Sequence, residues 1–357
     1  GRYQEAEEMA ELKKIRIAVL GASGYTGGET LRLAVRHPNI DVLALTAERH
    51  AGVAIDEIFP HLGGLALPSP TKIDDLNLDE VDAVFCCLPH GTTQEVVKLL
   101  PRDLKVVDLS ADFRLGDPEV YAAWYGHKHF APELQADVAY GLTELNRETI
   151  VRKRIVACPG CYPTAALLPL APIVAAKHIH TDEIIIDAKS GVSGAGRAVK
   201  QEMLFAEISE GIHAYGIGEH RHGPEIDQEL SAAAGKPIVA NFTPHLVPMN
   251  RGILSTVYVK LSGGATTSDL RKTLIERYEN EPFVRVVPES VSPATRHVRG
   301  SNQCLIGIFE DRIPGRAILV SVIDNMVKGA AGQAIQNFNL MFGLPETAGL
   351  KQLPLFP

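Results

Sequence analysis

The chain has 357 residues, 45% hydrophobic and 22% charged, an ordinary soluble balance long enough for two domains with cores of their own. A net charge of −8 excludes nucleic-acid binding through a general basic field, so an anionic ligand must meet a local cluster of arginines, lysines or helix N-termini. Five cysteines without zinc spacing fit a reducing compartment and point to no metal site; no apolar run reaches a membrane span, and no signal peptide is visible.

Residues 1–12 are polar and rich in Glu, and are expected as a mobile tail or one exposed helical turn. The chain opens on Gly1 without Met, as a processed form would, and a removed transit peptide is one source of such a start. Ile15 to Leu20 reads as a buried strand. It runs into Gly21-Ala22-Ser23-Gly24-Tyr25-Thr26-Gly27-Gly28 and then into helical spacing from Glu29 to Arg36. Strand, glycine loop and helix form the first unit of a dinucleotide fold, spaced G-x-x-G-x-x-G. In it Gly21, Ser23, Gly24, Tyr25, Thr26 and Gly27 are expected to hold a pyrophosphate over the helix N-terminus.

Ile40 to Thr46 is the second strand, which ends near the adenosine ribose in such folds. Thr46-Ala47-Glu48-Arg49 offers a hydroxyl and an arginine there, which suits a 2′-phosphate. Thr46, Arg49 and NADP are therefore expected together, although Glu48 sits between them. The strand Val81 to Leu88 delivers Leu88-Pro89-His90 to the same carboxyl edge, before a helix from Thr93 to Leu100. Lys105 to Ser110 is the next strand. Ser110 and Arg114 behind it are candidates for holding an anionic group or an ordinary capped turn.

Arg154 to Ala157 is a strand that meets Cys158-Pro159-Gly160-Cys161-Tyr162-Pro163-Thr164, with a helix expected from Thr164 onward and kinked or shortened by Pro169 and Pro172. Cys161 then lies at a strand-to-helix turn, where unpaired N–H groups and the helix dipole favour a thiolate and can steady an oxyanion. Cys161 is read as a covalent nucleophile, the alternative being a buried structural cysteine. Glu183 to Ala188 is a strand followed by a second glycine-rich loop, Lys189 to Arg197, in which Ser190, Gly191 and Gly194 are expected to face cofactor or substrate. Gly218-Glu219-His220-Arg221-His222-Gly223-Pro224-Glu225 opens a helix, with two histidines as candidate acid/base groups. Their rings are expected to point in different directions. Pro237–Val247, Gly252–Leu261, Phe283–Val287, Gln303–Phe309 and Ala317–Ile323 read as strands and Ser268–Tyr278 as a helix, an antiparallel-looking α+β half.

The glycine loop, the Pro-Gly-Cys-Tyr-Pro-Thr turn and the His-Arg-His-Gly-Pro-Glu cluster, in this order, resemble the N-acetyl-gamma-glutamyl-phosphate reductase family of arginine biosynthesis, from about Lys14 to the last helix. The resemblance implies an α/β protein: an N-terminal Rossmann dinucleotide-binding domain, residues 13–160 completed by the helix in 326–357, plus an α+β catalytic and dimerisation domain, residues 161–325, with a mostly antiparallel sheet. It implies NADP as cofactor, an acyl phosphate as substrate, and a homodimer or homotetramer. It places the nucleophile on Cys161 and the acid/base on His220, with His222 second and Glu225 orienting it. Asn302 and Lys328-Gly329-Ala330 fall near the nicotinamide or the domain seam. Ser110, Arg114 and Arg197 are expected at the substrate carboxylate and phosphate. The compartment would be the plastid stroma in a plant and otherwise the cytoplasm. Aspartate-semialdehyde dehydrogenase, the same chemistry on a shorter acyl chain, and a non-catalytic NADP-binding sensor are the alternatives.

Overall fold

The computed structural model describes residues 14–357, so the glutamate-rich start expected as a tail lies outside the described residues. Strands β1 (Ile15–Leu20), β2 (Ile40–Thr46), β3 (Ala83–Cys86), β4 (Lys105–Asp108), β5 (Val138–Tyr140) and β6 (Ile155–Ala157) form an all-parallel sheet in the order β2-β1-β3-β4-β6-β5. Helices α1 (Tyr25–Ala34), α2 (Thr93–Leu99), α3 (Pro118–Tyr125) and α4 (Thr143–Arg152) alternate with these strands. Both faces of the central strands are covered, which is why β3 and β6 are apolar and buried along their whole length. Because all six strands run one way, their carboxyl ends share one edge, where α/β sheets hold ligands.

Helix α5 (Cys161–Ala175) leads from this sheet into a second one built of β7 (Ile185–Gly191), β8 (His213–Ala214), β9 (Asn241–Val247), β10 (Ile253–Lys260), β11 (Val284–Val286), β12 (Cys304–Glu310) and β13 (Arg316–Ile323). Its order is β11-β12-β13-β10-β7-β9-β8, mostly antiparallel, with β11·β12 and β7·β9 parallel. Helices α6 (Gly223–Ala234) and α7 (Thr267–Tyr278) pack with α5 on one face of it, over Ile186, Ile253, Val257 and Leu319. One expectation is corrected here. Lys189, Ser190 and Gly191 belong to β7 rather than to a loop, because β7 is a central strand whose ladders with β9 and β10 run to Gly191 and Ser190.

Helix α5 corrects another. It starts three residues earlier than expected, at Cys161, and runs 15 residues through Pro169 and Pro172 without a break. A proline at position i removes the N–H that would serve the carbonyl of i−4. Here those orphans are Ala165 O and Leu168 O. The hydroxyl of Ser321 donates to the first, and the hydroxyl of Tyr278 donates to the second at 2.6 Å. Two side chains from the second sheet and α7 thus replace the missing backbone donors, and the helix persists.

The chain returns through a π-helical turn, Val327–Ala331, into α8 (Gly332–Met341), whose Ile335 and Phe338 join Ile17 and Phe85 in the core of the parallel sheet. Lys328 in the π turn is fully buried. Its Nζ donates to Glu144 Oε1 of α4 at 2.5 Å and to Gln336 Oε1 of α8 at 2.9 Å.

Candidate active site

The edge of the parallel sheet begins with a backbone cradle. Gly21 has φ +81°, and a Cβ there would stand 2.4 Å from the carbonyl oxygen of Cys87, so only glycine lets β1 turn this close over the end of β3. A Cβ on Gly27 would lie 2.5 Å from Gly21 O, which is how α1 comes to start against its own loop. Gly24 caps α1 without any side-chain hydrogen bond, so the first N–H groups of the helix stay available to an anion. The cradle fits a dinucleotide pyrophosphate, and Ser23, Tyr25 and Thr26 lie on the same loop and helix start. Thr46 does not face a ligand: it is buried, and its Oγ1 accepts from Gly21 N at 3.1 Å, bracing the loop. Arg49 is exposed at the end of β2, while Glu48 accepts from Ile73 N at 3.2 Å. Leu88 and Pro89 stand at the same edge after β3.

Cys161 is the first residue of α5, and its neighbours come from both halves of the chain. Glu225, buried at the start of α6, accepts from Gly160 N and from the Tyr140 hydroxyl, each at 2.8 Å with Oε1. Its Oε2 lies 3.6 Å from Arg114 Nη1. Glu225 therefore grips the turn that presents Cys161 instead of orienting His220, since its oxygens are already matched by a backbone amide, a phenol and a guanidinium. On the opposite side, a Cβ on Gly329 would come within 2.8 Å of the Cys161 Cβ, so the π turn presses bare backbone against the thiol-bearing residue. Cys158, the other half of the Cys-Pro-Gly-Cys run, points the other way, into the core of the parallel sheet beside Asn337.

Arg114 is buried too. Its Nε donates to Cys158 O at 2.8 Å and its Nη2 to Leu109 O at 3.2 Å, and its Nη1 lies 3.4 Å from His222 Nε2. The expected substrate contact is thus corrected: this guanidinium is a buttress under the Cys161 turn. Ser110 is corrected likewise, because its hydroxyl donates to Asp108 Oδ2 and is buried. Arg197 reaches across to the parallel-sheet half, where it donates to Ser23 O at 3.0 Å and lies over the Phe59 ring at 4.8 Å. It clasps the glycine loop and is not at Cys161. Asn302 is fully buried and donates to Gln336 Oε1 at 2.9 Å, which puts it at the seam. Ser190 is buried with its hydroxyl on Gly191 O, Gly191 is wedged against Asn250, and Gly194 lies near the Ser190 hydroxyl.

The electrostatics correct the expected thiolate. Burial pushes the Cys161 thiol up to about 11, against the pull of Arg114 and of the N–H groups of Tyr162 and Cys161. The resting group is a thiol. Both histidines are held neutral: burial, then the charge of Arg221, lowers His220 to about 4, and burial beside His220 and Arg114 holds His222 well below the ordinary range. The two rings meet edge to face at 4.7 Å and do not diverge. His220 Nδ1 accepts from His222 N at 3.1 Å, which leaves its proton on Nε2. His222 wedges between Arg114 and Gly160, whose Cβ, if it had one, would meet His222 Nε2 at 2.4 Å. His220 keeps an uncommitted Nε2–H, walled by Tyr162, Tyr215 and Phe242, while His222, whose Nε2 faces the donating Arg114, carries its own unpartnered proton on buried Nδ1. Tyr140 escaped sequence reasoning, and Gly329, expected near the nicotinamide or the seam, was not expected against Cys161. Only the small-residue run around Gly329 carried a signal.

A glycine cradle and a helix-opening cysteine on one sheet edge, closed by a second mixed sheet, define a dinucleotide-dependent dehydrogenase of the semialdehyde dehydrogenase type. Residues 16–153 match the family described as semialdehyde dehydrogenase, NAD binding domain, and residues 161–325 match its dimerisation domain. A relative from Rhodospirillum rubrum named N-acetyl-gamma-glutamyl-phosphate reductase is 58% identical over 97% of this chain and 99% of its own. One from Oryza sativa, named probable N-acetyl-gamma-glutamyl-phosphate reductase, chloroplastic, is 57% identical over 97% of this chain and 83% of its own. Among solved structures, aspartate semialdehyde dehydrogenase II from Vibrio cholerae has the same fold, with TM-score 0.70 at 18% identity, covering 93% of this chain and 99% of the other. The chain belongs to the N-acetyl-gamma-glutamyl-phosphate reductase family. Its cofactor is a nicotinamide dinucleotide, it is a homo-oligomer, and no helix of the described residues is long and apolar enough to cross a membrane.

Proposed function

We propose that this chain reduces N-acetyl-glutamyl 5-phosphate to N-acetyl-glutamate 5-semialdehyde and phosphate, with NADPH and through a thioester on Cys161, in arginine biosynthesis. One juxtaposition carries the reading. Cys161 opens α5 on the edge that bears the glycine cradle, and His222, edge to face with His220, packs on the residue before it.

Bound in the cradle, the reduced nicotinamide supplies hydride. Residues Gly21 to Gly27 hold the pyrophosphate, and exposed Arg49 favours a 2′-phosphate while Glu48 is turned onto Ile73. The Cys161 sulfur forms a bond to the acyl carbon, the bond to the phosphate oxygen breaks, and the leaving phosphate carries off the thiol proton. The N–H groups of Cys161 and Tyr162 at the start of α5 steady charge on the carbonyl oxygen and sulfur. After reduction the carbon–sulfur bond breaks and the sulfur leaves as a thiolate, whose charge the neutral His220 Nε2–H steadies by a hydrogen bond while solvent supplies the proton that restores the thiol. The aromatic wall of Tyr162, Tyr215 and Phe242 keeps water from the thioester. The second sheet forms the subunit contact of a homodimer or homotetramer. In a plant the compartment is the plastid stroma, and elsewhere the cytoplasm.

The test is phosphate-dependent reduction of NADP with N-acetylglutamate semialdehyde and with aspartate semialdehyde, using the wild type and Cys161→Ala. Turnover of the acetylated aldehyde, abolished in Cys161→Ala, supports the reading. Turnover of aspartate semialdehyde alone transfers it to the shorter substrate. Full activity in Cys161→Ala sinks the covalent mechanism, and NADP binding without turnover of either aldehyde favours the sensor.

A further inference from the structure

Buried and half-buried cations of the two sheets are matched by carboxylates. Arg114 faces Glu225, Lys328 faces Glu144, Lys189 faces Asp187 at 2.6 Å, and Arg251 faces Glu29 at 2.8 Å. Arg221, between the two histidines, makes no ion pair among the described residues. It is nevertheless placed. Its guanidinium lies over the Tyr125 ring, 5.0 Å from the centroid, and Tyr125 is stacked on buried Tyr121 at 4.6 Å. The adjoining Gly223 packs near Trp124, so the end of α3 and the start of α6 meet at this point. A guanidinium placed over a phenol ring and free of any carboxylate keeps N–H groups for a planar anion, which an arginine fork can bind bidentately.

We propose that Arg221, seated on Tyr125, binds the α-carboxylate of the acyl substrate. This deepens the reading above and rests on it. The substrate carries two anions, and the structure separates them. The charges that weigh most on the Cys161 thiol are those of Arg114 and Glu225, whereas Arg221 weighs on His220 and His90. The acyl phosphate is bonded to the carbon that the sulfur attacks. The α-carboxylate lies four carbon–carbon bonds away, about 5 Å in an extended chain. Arg221, one residue from His220 and not among the charges that weigh most on the thiol, is the cation assigned to it.

The experiment compares wild type, Arg221→Met and Arg221→Lys in phosphate-dependent NADP reduction. The substrates are N-acetylglutamate semialdehyde and 4-acetamidobutanal, which keeps the aldehyde and acetamide but lacks the carboxylate. In Arg221→Met the KM for N-acetylglutamate semialdehyde rises roughly 10- to 100-fold, the loss of a charge-assisted hydrogen-bond pair. The KM for inorganic phosphate and the turnover of 4-acetamidobutanal stay within about twofold, and Arg221→Lys recovers part of the loss. A raised KM for phosphate instead overturns the proposal in favour of a phosphate site. Equal loss on both aldehydes, or no change, overturns it in favour of a structural arginine. A wild type that oxidises neither aldehyde overturns the functional reading, and this proposal with it.

Discussion

Tyr278→Phe isolates the device that keeps α5 intact. The substitution removes one oxygen and leaves the ring in the core it shares with Leu270 and Leu274. Leu168 O then loses its 2.6 Å donor, and Pro172 offers no amide in its place. A buried carbonyl stranded in this way costs about 1–3 kcal/mol. For a domain of this size each kcal/mol lowers the thermal midpoint by roughly 2–4 °C. Pro172→Ala restores an N–H at the position that serves Leu168 O, so Pro172→Ala in the Tyr278→Phe background recovers most of the loss. In the wild type the same change is close to neutral. The two effects are therefore non-additive by at least about 1 kcal/mol, a coupling that a double-mutant cycle by thermal denaturation reads directly. Additive effects would refute the reasoning, because the proline and the phenol would then be unrelated.

The alkylation rate of Cys161 by iodoacetamide, measured against pH in protein free of cofactor, should follow an apparent pKa near 11, and Cys161→Ser identifies the modified residue. Glu225→Gln should lower that value, since the carboxylate opposes the pull of Arg114, while destabilising the fold by about 3–5 kcal/mol because Arg114 is left as a buried unpaired charge. Glu29 has its carboxyl lowered to about 2: burial alone would raise it, but Arg251 and Arg32 prevail. Its contribution, about 3 kcal/mol, is complete above the unfolded value near 4.5 and is lost as pH falls through 2, so the thermal midpoint of Glu29→Gln should show less loss over that window than the wild type. Gly27→Ala should weaken nicotinamide-dinucleotide binding, read by fluorescence titration, by roughly tenfold or more, because the added Cβ meets Gly21 O and displaces the cradle at about 1–3 kcal/mol.

The strand–loop–helix units of the parallel half were legible because each is local: an apolar run, a glycine turn and a 3.6-residue period within thirty residues. The cradle and the place of Cys161 at a helix start follow from the same signals. What a polar residue at the sheet edge does there was not legible. Thr46, Ser110, Arg114 and Asn302 stand near the edge or the seam, yet each satisfies a loop amide, a carbonyl or a buried side chain. Before such a residue is given to a ligand, every buried donor and acceptor around it must be matched, and those partners are far apart in sequence. Pro169 and Pro172 made the same point in reverse: the donors that rescue the helix stand more than a hundred residues downstream.

The reactivity of Cys161 then belongs to an assembly and not to a helix terminus. The dipole argument pointed to a thiolate, but burial outweighs it, and the helix amides and Arg114 only limit the rise. Glu225 decides the balance, since it anchors Gly160 and at the same time cancels part of the Arg114 charge. A thiol kept protonated is protected from oxidation and alkylation while the cleft is empty. Substrate and cofactor must change that balance on arrival. A phosphate that leaves with the thiol proton does so without requiring either histidine to be charged, in keeping with two imidazoles held neutral by their burial. In the proposed reaction His220 can offer only its Nε2–H, because His222 N occupies its other nitrogen.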